Sequence, residues 1–380
     1  MSTIAKIFRR YAPAYLEEYG DRLPAEHRKV IKSILECRTP SAGVAVYGCN
    51  SCPEKRIAYL GCGNRHCPNC QQDKSRQWLN RALEQVLPGP HFFVTFTVPQ
   101  ELRRFIRSNQ RLAYGALFKA TSEALKVSLA NKKYCGADHP GFFGVLHTWT
   151  RQLEYHPHVH FVVPGGGLDR DSKLWQSTGS KYLVPGSVLS ALFKKHFRAL
   201  MKTAGLFDKV PTVAWSKKWV VDVQAVGNNT EGILKYLAPY VFRVAISDSR
   251  IVSDENGLIT IKYSPSGSKE TKLLPLRAFE FMRRFLQHVL PTGFMKIRYY
   301  GFMSPASKET REVVAAMVCL ADAESPILVP PSPPKPEPLA IPQAHLCECC
   351  QKPMVLLQVW KRNRVVYEPT PLLTAAANRQ

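Results

Sequence analysis

Acidic residues are scarce in this chain: 29 Asp and Glu stand against 52 Lys and Arg over 380 residues, a formal net charge of +23. Such an excess points to polyanionic partners, because neutralising phosphates releases counterions and drives nucleic-acid binding. A membrane surface is the competing partner, but the basic residues are spread along the whole chain and no basic amphipathic anchor stands out. Long hydrophobic runs are also missing. The longest, such as Phe92 to Val98, have the length of a strand and fall far short of a membrane span. The first twenty residues are amphipathic and charged, without the apolar core of a secretory leader, so a soluble cytoplasmic protein with no membrane partner is expected. Neither G-x-G-x-x-G nor G-x-x-x-x-G-K-[ST] occurs, which excludes the common phosphate-cradling loops. Gly165 to Gly167 then reads as a strand exit. No internal repeat is apparent.

Cysteine is present but unsuited to disulfides. The 11 cysteines are odd in number and fall mostly in close pairs, which argues for a reducing compartment and metal binding. Cys49-x-x-Cys52 and Cys67-x-x-Cys70 form two knuckles, and two converging thiolate pairs complete a tetrahedral zinc site. The expectation is one zinc on Cys49, Cys52, Cys67 and Cys70. Cys37, Cys62 and His66 are additional potential ligands that could form most of a second site, or pack beside the first. Arg56, Arg65, Lys74 and Arg76 surround the knuckles, which suits docking on nucleic acid, although a purely structural zinc fold would look the same. Cys347, Cys349 and Cys350 make one more knuckle without an obvious partner pair, with His345 a possible ligand beside it.

The densest chemistry lies in His156-Pro157-His158-Val159-His160, which holds three of the chain's 11 histidines. Side chains two apart on a strand share a face, so His158 and His160 project together while Val159 points the other way. Two imidazoles at that spacing can share a divalent cation; the blander alternative is a solvated histidine cluster. Phe142 to Thr150 reads as a preceding strand. Folding the two as a hairpin sets His147 opposite His158 and makes it the expected third ligand. Glu154, Gln152 and His156 are the alternatives, and Pro157 is expected to mark the strand start.

Further on, Asn228 to Glu231 is a helix start, and the helix from Glu231 to roughly Tyr240 carries Tyr236 and Tyr240 on one face. Such a pair proves little alone, since Tyr11, Tyr15 and Tyr19 repeat the spacing in a helix that looks structural. Its company lifts it: a tyrosine hydroxyl can attack a phosphodiester when a metal polarises the scissile phosphate.

His158-Val159-His160 resembles the histidine-hydrophobic-histidine motif of HUH endonucleases. Tyr236-Leu237-Ala238-Pro239-Tyr240 followed by Arg243 to Ser247 is similar to the two-tyrosine rolling-circle transposases of the bacterial insertion-sequence ninety-one family. The resemblance extends over Asn64 to Gln71, Phe92 to Pro99, Leu146 to Trp149, Phe285 to Pro291 and Ile297 to Gly301, in the same order. It implies an α+β protein: a small N-terminal zinc-binding module, then an HUH domain with a mostly antiparallel sheet and flanking helices on one face. It further implies a transposase that nicks and rejoins single-stranded DNA through a 5′-phosphotyrosine. Magnesium or manganese would be held by His158, His160 and a third ligand. Tyr236 would cut and Tyr240 would resolve or receive the second strand. The implied partners are the single-stranded ends of its own element, target DNA and host replication proteins.

Two departures matter. Ala42 to Tyr47 lacks a histidine that relatives often carry, which weighs against a second zinc. Pro239 should kink or end the helix before Tyr240, which makes Tyr236 the primary nucleophile. The domains expected are 1–88 (helical and zinc-binding), 89–324 (catalytic), 325–344 (a stiff proline-rich linker) and 345–380 (a small cysteine-containing tail). A replication initiator or relaxase with the same chemistry, and a non-catalytic zinc regulator, are the other readings.

Overall fold

The run from Phe92 to Val98 carries large apolar or β-branched side chains at odd and even positions alike, so a strand built from it needs cover on both sides. The structure, a computed structural model, provides that cover. It describes residues 1–227, 230–242, 245–265, 267–268, 270–322, 346–361 and 364–368. The expected linker at 325–344 and His345 lie outside the described residues.

Helices α1 (Thr3–Tyr19) and α2 (Ala25–Glu36) precede the hairpin β1 (Val44–Cys49) and β2 (Lys55–Tyr59). Next come α3 (Gln71–Glu84), β3 (His91–Thr97), α4 (Leu102–Ser108) and α5 (Gln110–Ala130). Strands β4 (Phe142–Trp149), β5 (Tyr155–Pro164), β6 (Gly166–Asp169) and β7 (Leu174–Ser177) follow, then α6 (Gly186–Thr203), the short α7 (Val213–Ser216) and β8 (Val220–Gly227). Helix α8 (Thr230–Phe242) leads to β9 (Ile251–Glu255), β10 (Leu258–Tyr263), β11 (Lys272–Arg277), α9 (Ala278–Leu286) and β12 (Ile297–Tyr300). The last elements among the described residues are α10 (Lys308–Asp322), β13 (Met354–Lys361) and β14 (Arg364–Tyr367).

The chain divides into two units, residues 1–71 with 334–380, and residues 72–333. In the larger unit a five-stranded antiparallel sheet runs β12-β4-β5-β3-β8. One face packs Phe92, Val94, Phe96, Val159, Phe161 and Val163 against α4, α5 and α6. The other packs Phe93, Val145 and Val162 against Trp78 of α3, Leu234, Leu237, Ala238 and Val241 of α8, and Val314 and Val318 of α10. Helices therefore flank both faces rather than one, because β4 is buried at every position and β3 at nearly every one. Trp78 also donates a hydrogen bond to the Tyr299 hydroxyl at 3.1 Å, which ties α3 to this sheet.

Two proline expectations change. Pro157 does not start its strand: β5 begins at Tyr155, and Pro157 falls where the β4–β5 register shifts between His147 and Trp149. A bulge leaves residues outside the ladder, so the missing N–H costs nothing there. Pro239 does not end α8, which continues to Phe242. Proline forfeits one backbone bond, while Leu237, Ala238 and Val241 on either side of it are anchored in the core.

In the smaller unit α1 and α2 pack on each other, and a second sheet runs β14-β13-β1-β2. The tail therefore does not stand apart. Met354 to Trp360 pairs antiparallel with Val44 to Cys49 of the N-terminal hairpin, a long-range pairing that local pattern cannot announce. Beside the larger sheet, β9, β10 and β11 form a three-stranded antiparallel sheet. Its β9–β10 turn at Asn256-Gly257 has φ of 50° and 76°, the left-handed pair that Asn-Gly accommodates.

Phe161 is fully buried and its ring lies where a Cβ on the facing Gly144 would be, 2.5 Å from Cε1. Phe161→Ala is expected to destabilise the larger unit by about 3–5 kcal/mol. Thermal unfolding should read this as a lowered midpoint with zinc content unchanged.

Candidate functional site

The register of the β4–β5 pair sets His147 directly opposite His158, as the hairpin expectation required. Val145 and Val162 sit on the same face of these strands as His147, His158 and His160, so the three imidazoles continue the apolar face on which α8 packs. Ligand nitrogens of the three lie within 4.8 Å of one another. Ring centroids are 4.5 Å apart for His147 and His160, 4.7 Å for His158 and His160, and 5.4 Å for His147 and His158.

Each ring is held by its neighbours. His160 stacks on Phe93 at 4.9 Å and its Nδ1 lies 2.8 Å from the Thr95 hydroxyl. His147 stacks on Trp149 at 5.1 Å. His158 Nδ1 lies 2.7 Å from the His156 carbonyl. A carbonyl only accepts, so this nitrogen carries the proton and Nε2 keeps its lone pair for a ligand. Burial, then the charge of the neighbouring rings, holds His147 and His160 well below the usual imidazole range and brings His158 to about 4. All three are neutral near pH 7, the form that binds metal. The donor set and its spacing thus fit a divalent cation.

The alternatives to His147 are engaged elsewhere. His156 accepts from Arg103 Nη2 at 2.6 Å, and Gln152 donates to the Tyr263 hydroxyl at 2.8 Å. Glu154 lines the cleft but stands outside the triad. That cleft, about 900 Å³, opens over the histidines and is walled by the turn after β4 and by β10 with its flanking loop. Arg151, Arg250, Lys262 and Lys272 line it against a single acid, Glu154, among the described residues, and Trp149 and Tyr263 present aromatic rings. Arg151, Arg250, Lys262 and Lys272 were not singled out from the sequence, because their convergence comes from packing of the β9–β11 sheet. Tyr236 and Tyr240 belong to α8, but their side chains lie outside the described residues.

The cysteines regroup. Cys37, Cys62, Cys67 and Cys70 form one cluster, and Cys49, Cys52, Cys347 and Cys350 another, each with sulfurs within 4.8 Å. The expected set of Cys49, Cys52, Cys67 and Cys70 is therefore split. In the first cluster, Cys37 Sγ lies 3.5 Å and Cys62 Sγ 3.9 Å from Cys70 Sγ. Arg9 fixes the end of α2 by donating to the Cys37 carbonyl at 2.7 Å, and Asn64 and Asn69 fasten the knuckle loop to Ser33 and Ser2. His66 is not a member, since its Nε2 accepts from Arg65 at 3.3 Å. The absence of a histidine in Ala42 to Tyr47 does not argue against a second cluster, because Cys37 and the C-terminal pair complete the two sets.

Two family models match: one described as "Putative transposase" over residues 141–311, and one described as a transposase zinc-binding domain over residues 7–98. A curated protein of Sinorhizobium fredii named "Putative transposase y4qJ" is 36% identical over 328 residues, which span 81% of this chain and 82% of that protein. The chain belongs to the insertion-sequence ninety-one family of transposases. The transposase for insertion sequence element IS801 of Pseudomonas savastanoi pv. phaseolicola is 27% identical over 307 residues, 77% of this chain and 73% of that protein. No solved structure matches the chain. As a transposase it binds DNA and belongs to the nuclease and strand-transfer enzymes, with a zinc-binding domain at its N-terminal end. Among the described residues no helix is long and apolar enough to cross a membrane.

The regrouping is testable. Cys37→Ser should lower bound zinc as far as Cys67→Ser does, whereas His66→Ala should leave the zinc content of the purified protein unchanged by elemental analysis.

Proposed function

We propose that this transposase nicks and rejoins single-stranded DNA at the ends of its own element by the HUH route, with Tyr236 as the first nucleophile. The observation that carries the reading is the triad of neutral imidazoles at the head of a basic cleft. The Tyr236 oxygen attacks phosphorus and the bond to the 3′ oxygen breaks. This leaves a free 3′-hydroxyl and a 5′-phosphotyrosine whose retained bond energy serves the rejoining step. Tyr240 takes or resolves the second strand in a rolling-circle sequence, and host replication proteins supply the helicase and polymerase. Support comes from α8, which carries both tyrosines and packs on the sheet face that bears the histidines.

His147, His158 and His160 would hold a divalent cation, which when bound polarises the scissile phosphate and offsets its developing charge. The other residues position the substrate. Arg151, Arg250, Lys262 and Lys272 attract the phosphate backbone, and Tyr263 offers a stacking surface of the kind single strands use. An all-nitrogen donor set suits manganese better than magnesium, which prefers oxygen ligands.

A labelled oligonucleotide of the element's end should become protein-linked in manganese, and Tyr236→Phe should reduce the linked species at least a hundredfold. His158→Ala and His160→Ala should abolish cleavage with DNA affinity retained. Wild-type yield from Tyr236→Phe would refute its assignment as the nucleophile.

Thr95 sets the ring of His160 from behind. Thr95→Val should weaken manganese binding about 10–100-fold, read by calorimetric titration of the purified protein without DNA.

A further inference from the structure

We infer that Cys49, Cys52, Cys347 and Cys350 hold a second zinc ion, which clasps the C-terminal segment onto the N-terminal hairpin. The matched zinc-binding model stops at residue 98 and leaves half of these ligands outside it.

The sulfur geometry is that of a zinc site. Cys49 Sγ lies 3.4 Å from Cys350 Sγ, and Cys52 Sγ lies 3.3 Å from Cys347 Sγ and 3.9 Å from Cys350 Sγ. A tetrahedron with zinc–sulfur bonds of about 2.3 Å has edges of about 3.8 Å. A disulfide would bring two sulfurs to about 2.05 Å, and none is formed here.

The two halves are built alike. Cys49 N–H donates to the Glu54 carbonyl at 3.0 Å and closes the turn between β1 and β2, while Ser51 N–H points to Cys49 Sγ at 3.4 Å. In the tail, Cys347 N–H donates to the Lys352 carbonyl at 2.9 Å, and Gln351 N–H to the Cys347 carbonyl at 2.8 Å. Each Cys-x-x-Cys thus caps a tight turn ahead of a strand, and β1 and β13 pair directly beyond, with Cys49 opposite Met354. Membership is selective: Cys349, between two ligands in sequence, is exposed and outside the cluster.

A metal also answers an energetic question. Cys52 and Cys347 are 295 residues apart, so bringing them together carries the entropy of closing a very long loop. The strands that follow bury little in return, since Val355, Trp360, Val365, Val366 and Tyr367 remain exposed. Binding free energy from four thiolates on one ion supplies what apolar burial does not. The catalytic unit, residues 72–333, is consequently an insertion between the two halves of a zinc unit that carries two ions.

The test uses the full chain purified without chelator. Elemental analysis should read two zinc ions per chain. Replacing Cys347 and Cys350 together by serine should bring this to one, and Cys349→Ser should leave it at two. Thiol alkylation read by mass spectrometry should label Cys349 of the zinc-loaded wild type quickly and leave Cys49, Cys52, Cys347 and Cys350 protected. In the double variant Cys49 and Cys52 should become reactive while Cys37, Cys62, Cys67 and Cys70 stay protected. One zinc per wild-type chain would overturn the inference, as would wild-type Cys49 and Cys52 labelling as fast as Cys349, or a Cys52–Cys347 disulfide in non-reducing peptide maps. These wild-type readings decide the matter whether or not the double variant folds.

Discussion

The antiparallel pairing of β4 with β5 governs the site. A strand alternates faces with a period of two, so a slip of one residue would move His158 and His160 into the interior that Val159 occupies. The register is secured on both sides. Phe161 covers Gly144 across the ladder, and Arg284 of α9 and Gln287 just after it donate to the carbonyls of Gln152 and Leu153 in the turn. Those bonds hold Leu153 at a φ of 62°, a conformation that costs a bulky side chain and needs outside support. The hairpin turn that delivers His147 to His158 is therefore maintained by a helix more than a hundred residues away in sequence.

Burial and charge around the triad act in one direction. Rings enclosed among Phe93, Trp149 and one another stay neutral, and a neutral imidazole offers a lone pair. Arg103 engages His156 Nδ1, so His156 stays out of the ligand set although its ring centroid lies 5.1 Å from that of His158. The cleft beyond is basic, so the same unit combines a place for a cation with an attraction for the phosphates on which such a cation would act.

The zinc unit follows another physical logic. Its first cluster draws Cys37 from the end of α2 into the knuckle loop through Arg9, Asn64 and Asn69. The helices α1 and α2 have an apolar core of their own, whereas the knuckle loop relies on such links, since the entropy cost of folding grows with every ordered residue. The split of the expected set follows from this. Cys49 and Cys52 lie on a hairpin paired with the tail, while Cys67 and Cys70 lie on a loop fastened to the helices.

By itself the sequence determined whatever depends on short-range periodicity and residue chemistry. The two-residue spacing of His158 and His160, the hairpin partner His147, the Cys-x-x-Cys knuckles, the Asn256-Gly257 turn and the basic balance of the chain all follow from local rules. Its motifs also sufficed to identify the transposase family. Only the tertiary structure decided which knuckles share a cluster, that helices cover both faces of the central sheet, and that Arg250, Lys262 and Lys272 converge on the histidines. Each of these depends on contacts between segments far apart along the chain, whose formation is set by the packing of whole elements. A four-residue motif reports its own bend, and carries no information about the partner that will face it.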